Sequence, residues 1–86
     1  MSHVATFTLR LSEQPGALER VLAMCSRKRC PVVSLEYRAG DRHRPGGLEL
    51  GVRAGARAAE LEARLAGLVD VLEVSEGAPG ELARAA

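Results

Sequence analysis

Aromatic residues are almost missing from this chain: Phe7, Tyr37 and no tryptophan among 86 residues. Any core must therefore be built from Leu, Val and Ala. The scarcity also removes the exposed aromatics on which RNA-recognition sheets stack bases, and the outward positions of the third expected strand, Glu49, Gly51 and Arg53, supply none. An excess of one charge is missing too. Twelve basic against eleven acidic residues leave a formal net charge of +1, too little to point to nucleic acid or an anionic membrane. The short basic clusters Arg27-Lys28-Arg29 and Arg42-His43-Arg44 read as solvated surface. No apolar run approaches the roughly 20 residues of a membrane-spanning helix. The N-terminus has no basic segment leading into an apolar signal region, so a cytoplasmic protein is expected.

Groups for catalysis and metal binding are equally sparse. Cys25 and Cys30 are the only cysteines. They read as two free thiols, one in a helix core and one near its end, without the second pair that most zinc sites use. His3 and His43 lie near the N-terminus and in a polar loop. Glu13, Glu19 and Glu36 compose no acid/base pair, and no Ser/His/Asp constellation is present. No catalytic residue, metal or cofactor is expected.

What remains is a clear pattern of elements. Ala5-Thr6-Phe7-Thr8-Leu9-Arg10-Leu11 alternates as a half-buried strand, and Leu18, Val21, Leu22 and Cys25 then recur at helical spacing. Helix is expected from about Ala17 to Arg29, stopped by Pro31. Val33, Leu35 and Tyr37 alternate with Ser34, Glu36 and Arg38 in a second strand. The polar segment Gly40-Asp41-Arg42-His43-Arg44-Pro45-Gly46-Gly47 is long for a hairpin. Leu48, Leu50 and Val52 mark a third strand, and Ala58, Leu61, Leu65 and Leu68 a second helix. A fourth strand is expected over Val69 to Val74, before a short tail in which Glu81-Leu82-Ala83-Arg84 are helix formers.

Strand, helix, strand, strand, helix, strand predicts an α+β ferredoxin-like βαββαβ sandwich: a four-stranded antiparallel sheet with two helices on one face. One domain over residues 3–76 and a tail over 77–86 are expected. In that topology the second strand is an edge. An apolar, Pro-free edge invites pairing, and so small a core gains from a subunit partner. A homodimer through Val32, Val33, Ser34, Leu35, Glu36, Tyr37 and Arg38 is therefore expected.

Between the first strand and helix, Glu13-Gln14-Pro15-Gly16-Ala17 must turn sharply. Gly16 admits backbone angles or a close approach that a side chain forbids, and the first helical N–H groups are left for a carboxylate. Read from residues alone, this is either a ligand loop or simply a tight turn.

Three segments carry a family resemblance. Pro15-Gly16-Ala17-Leu18-x-Arg20-Val21 resembles the signature of ACT domains, small amino-acid-sensing regulatory modules. Ser26-Arg27-Lys28-Arg29-Cys30-Pro31-Val32-Val33-Ser34-Leu35 is similar to the S-[QR]-R-G-[FY]-N-I-x-S-L run of acetolactate synthase small subunits. Leu68-Val69-Asp70-Val71-Leu72-x-Val74 resembles the L-V-D-V-x-x-V that closes the same domain. In length the chain is similar to the short, single-domain small subunit of isozyme II. The resemblance implies a non-catalytic subunit activating a thiamine-diphosphate-dependent large subunit in branched-chain amino-acid synthesis. It also implies an effector site at a dimer interface, carried onto Glu13, Gln14, Pro15, Gly16, Ala17, Pro31 and Val32. Glu13 and Pro31 stand where valine-sensitive relatives have asparagine, and Arg29 stands where they have glycine. Weak or absent valine sensitivity is implied. The alternative is a free-standing ACT-domain sensor serving another enzyme.

Overall fold

The structure, a computed structural model, describes residues 4–77. His3 and the expected tail helix formers Glu81 to Arg84 lie outside the described residues. Strand β1 (Val4–Leu11) leads into helix α1 (Ala17–Arg27), then β2 (Val32–Arg38) and β3 (Gly46–Arg53). One 3₁₀ turn (Gly55–Arg57) precedes helix α2 (Ala58–Ala66) and strand β4 (Val71–Glu76). The sheet order is β2-β3-β1-β4 with every neighbouring pair antiparallel. This is the expected ferredoxin-like sandwich.

Alternation decides the faces. Ala5, Phe7, Leu9 and Leu11 of β1 and Leu48, Leu50 and Val52 of β3 are buried in one cluster with Val21 and Cys25 of α1 and Leu61 and Leu65 of α2. Both helices therefore cover the same face. Phe7, fully buried, is the largest side chain in that cluster, and truncation to Ala would cost about 3–5 kcal/mol. Glu49 and Gly51 point away from the helices yet are buried, because β3 has a neighbour on each side.

Several boundaries differ from expectation. Helix α1 ends at Arg27, two residues early, and Pro31 is not what ends it. Arg29 adopts a left-handed conformation, φ 57°. The Cys30 amide then bonds the Cys25 carbonyl at 2.9 Å and the Arg29 amide bonds that of Ser26 at 3.0 Å, a Schellman closure that normally uses glycine. β3 starts at Gly46 rather than Leu48, which shortens the hairpin loop. Asp41 organises that loop by accepting from the amides of His43 (2.8 Å) and Arg44 (3.0 Å). The fourth strand begins at Val71, because Val69 and Asp70 lie in a turn closed by the Val71 amide on the Leu68 carbonyl at 3.0 Å. Leu68 falls beyond α2 but still packs against the core.

Candidate functional site

The β1–α1 loop is built as a fixed platform. Gly16 caps α1 at φ 85°, in the left-handed region, and no side chain caps the helix. Arg20, one turn along, folds back beneath it. Its Nη2 donates to the Pro15 carbonyl at 2.8 Å and its Nε to the Asp70 carboxylate. A Cβ at position 16 would meet Arg20 Nη1 at 3.0 Å. Asp70 is buried and also accepts from Ser12 Oγ at 3.3 Å, while its carbonyl takes the Ser12 amide at 2.8 Å. The hydrogen bond from Arg20 holds the Asp70 carboxyl below its ordinary range against the opposing effect of burial, and Asp70 in turn raises Arg20.

What the loop presents is limited and specific. The Ala17 amide turns back to the Gln14 carbonyl at 3.2 Å, and the first helical bond runs from Arg20 to Gly16 at 3.0 Å. The Leu18 and Glu19 amides precede that first bond and have no helical carbonyl to reach. Glu13, Gln14 and Pro15 are exposed, Gly16 is half-buried, and Ala17 is buried in the core. Beside Glu13 a hollow of about 330 Å³ is lined also by Ser12, Arg42, His43, Arg44 and Leu72. Glu13 thus shares this hollow with a hairpin that carries Asp41 as well as Arg42, His43 and Arg44.

Pro31 and Val32 are not brought to this loop. Leu11, which leads into the loop, pairs with Gly46, whereas Val32 pairs with Val52 at the opposite end of the sheet. The seven residues of β2 separate the two groups by about 20 Å at 3.3 Å per residue. Pro31 and Val32 instead line a separate hollow of about 410 Å³ with Leu22, Ser26, Arg29 and Cys30. Within one chain the seven candidate residues form two half-sites.

Sequence reasoning passed over Arg20, Ser12 and Asp70 as a unit. Arg20 and Asp70 each lie in a segment that carries the family resemblance, but nothing in the sequence pairs residues that far apart. The cysteines offer little chemistry. Both are buried free thiols, and burial pushes Cys25 up to about 11. Among the described residues no cluster of His, Cys, Asp or Glu could hold a metal ion, and no helix is long and apolar enough to cross a membrane.

No protein-family model matches the sequence, and no curated protein matches it. Solved structures do. The acetolactate synthase small subunit from Thermotoga maritima superposes with a TM-score of 0.74 at 17% identity, covering 93% of this chain and 50% of that one. The ACT domain of GTP pyrophosphokinase from Chlorobium tepidum gives 0.72 at 13% identity, covering 90% and 88%. The fold is that of an ACT domain. A formyltetrahydrofolate deformylase from Pseudomonas putida contains a similar unit, with a TM-score of 0.72 at 16% identity over 92% of this chain and 30% of that one. At these identities the ACT likeness is one of fold, and this chain spans half the length of the acetolactate synthase subunit.

Proposed function

We propose that this ACT-fold chain is a non-catalytic regulatory subunit, working as a homodimer through β2 and activating a thiamine-diphosphate-dependent acetolactate synthase large subunit. The observation that carries the dimer is the state of β2. Leu35 and Tyr37 pair with Leu50 and Leu48 on the helix-covered face, yet remain 42% and 47% exposed, and Val33 is 41% exposed. The helices leave that row half-exposed. Antiparallel pairing of β2 with a second copy covers the row and satisfies the free backbone edge. It also reverses the strand, carrying the second copy's Pro31 and Val32 to the end where this chain's Gly16 loop lies. The two half-sites then form one composite site, which suits an effector held between subunits.

The enzyme partner rests on the three sequence segments, supported by the fold likeness to an acetolactate synthase small subunit. In the composite site, the Leu18 and Glu19 amides would take an effector carboxylate. Glu13 crowds that carboxylate and Pro31 lacks a side-chain amide, so valine regulation is weak. Losing one or two charge-assisted hydrogen bonds costs about 1.5–3 kcal/mol each.

Two measurements test the reading. Adding the protein to the cognate large subunit should raise acetolactate formation; no change at saturating protein would remove the enzyme assignment and leave a sensor for another enzyme. Calorimetric titration with valine, leucine and isoleucine should give no saturable heat below roughly 100 μM, about −5.5 kcal/mol. A tighter site would overturn the claim of weak valine regulation while leaving the subunit role intact.

A further inference from the structure

The sheet face opposite the helices carries a second constellation, sharing no residue with the loop 13–17. Arg10 of β1 and Arg38 of β2 both pair with Gly47, from its two sides. Two arginines on one sheet face would ordinarily be separated by the side chain between them. Here that position is a glycine, and a gap opens over the strand. Thr8, Arg10, Arg38, Arg44, Pro45, Gly46 and Gly47 line the resulting cavity of about 140 Å³. No carboxylate lines it.

Acidic groups partly offset these arginines: Glu73 on Arg10, and Asp41 close enough for its charge to act on Arg44 and Arg38. Glu73 pairs with Arg10 Nε at 3.1 Å on the exposed flank of β4. Asp41 spends one carboxylate oxygen on the amides of His43 and Arg44. Glu49, two pairs further along β3 and opposite Thr8, also makes an interaction. Against this background Arg38 Nε is buried without any hydrogen-bond partner. A buried guanidinium N–H left unmade is costly, and such a group marks a place where an acceptor belongs.

We propose that Arg10, Arg38 and Arg44 form an oxyanion site over Gly47, taking a phosphate or carboxylate group of a small molecule. Arginine's planar fork suits both, and the cavity admits only a compact group. The site does not rest on the amino-acid reading of the Gly16 loop, and either can fail alone.

Calorimetric titration of the full chain with inorganic phosphate and, separately, malonate, at constant ionic strength set with chloride, tests it. Saturable binding of at least one anion is expected, and the stronger of the two identifies the phosphoryl or the carboxylate group as the natural partner. Arg38→Gln should weaken binding by about ten-fold or more, and Gly47→Val should abolish it by filling the gap. Arg53→Gln, an exposed arginine at the far end of the same strand, should leave it unchanged. If Gly47→Val does not fold, the Arg38→Gln result decides. No saturable heat with either anion, or equal affinity in Arg38→Gln and the parent, overturns the site.

Discussion

Arg20 and Asp70, separated by 50 positions in the chain, form the ion pair that pins the β1–α1 loop to the turn before β4. Through it, two segments that look unrelated in the sequence become one structural unit. The same guanidinium holds the Pro15 carbonyl, so the backbone around Gly16 is fixed from below.

That pairing predicts a definite acid dependence. Asp70 titrates below its unfolded value, chiefly through the hydrogen bond from Arg20. Its stabilisation is complete above the ordinary carboxylate value of about 4 and is lost as pH falls from there through the depressed folded value. Asp41, lowered by the amides of His43 and Arg44, adds a loss of the same sign. Asp70→Asn should therefore be less stable than the parent at pH 7 and lose less between pH 5 and pH 3. Urea midpoints across that range measure it, and parallel curves for the two proteins would refute the role given to Asp70.

Gly16→Val should lower stability by about 1 kcal/mol or more, since a β-branched residue is strained at a left-handed φ. Its Cβ would also press on Arg20, 3.0 Å away. In a domain of this size that is a drop of about 4–8 °C in Tm per kcal/mol. An unchanged melt would mean that the turn relaxes into another conformation.

Arg29→Gly should do the reverse. Arg29 holds a left-handed conformation at the Schellman closure of α1, where a side chain costs about 1–2 kcal/mol. Glycine removes that cost and gives part of it back as unfolded-state entropy. A net gain of about 0.5–1 kcal/mol is expected, read as a higher Tm. A lower Tm would show that the Arg29 side chain contributes more at the mouth of its hollow than its backbone costs.

Leu35→Glu should turn the protein into a folded monomer. Leu35 is 42% exposed in the single chain, so a charge there leaves the fold intact, whereas across a two-fold strand pair it meets its like. Ser34→Pro, by deleting a backbone donor, should also weaken the pairing. Sedimentation at tens of micromolar (order of magnitude) separates the states. A parent that is already monomeric would defeat the dimer, and a Leu35→Glu dimer would place the contact on another face.

Much of this architecture was legible in the residues themselves. Period-two alternation in β1 and β3 and the three-and-four spacing of Val21, Cys25, Leu61 and Leu65 are local consequences of backbone geometry, so element order and faces follow from them. The glycine turn at Gly16 was legible for the same reason. Boundaries were less so. Pro31 looked like the stop of α1, but the chain turned at Arg29, because the carbonyls of Cys25 and Ser26 could be satisfied there first. Val69 and Asp70 looked like strand, yet Asp70 was drawn into the turn by Arg20 and Ser12.

The chain by itself determined the ferredoxin-like order, the Leu/Val/Ala core and the sharp turn before α1, since each depends on residues within a few positions of one another. Only the tertiary structure decided that Arg20 meets Asp70, that Gly16 and Pro31 stand at opposite ends of the sheet, and that Arg10 and Arg38 flank an empty glycine. Those facts depend on strand order and register, which join distant segments through burial of the whole core, and no local pattern of residues encodes them.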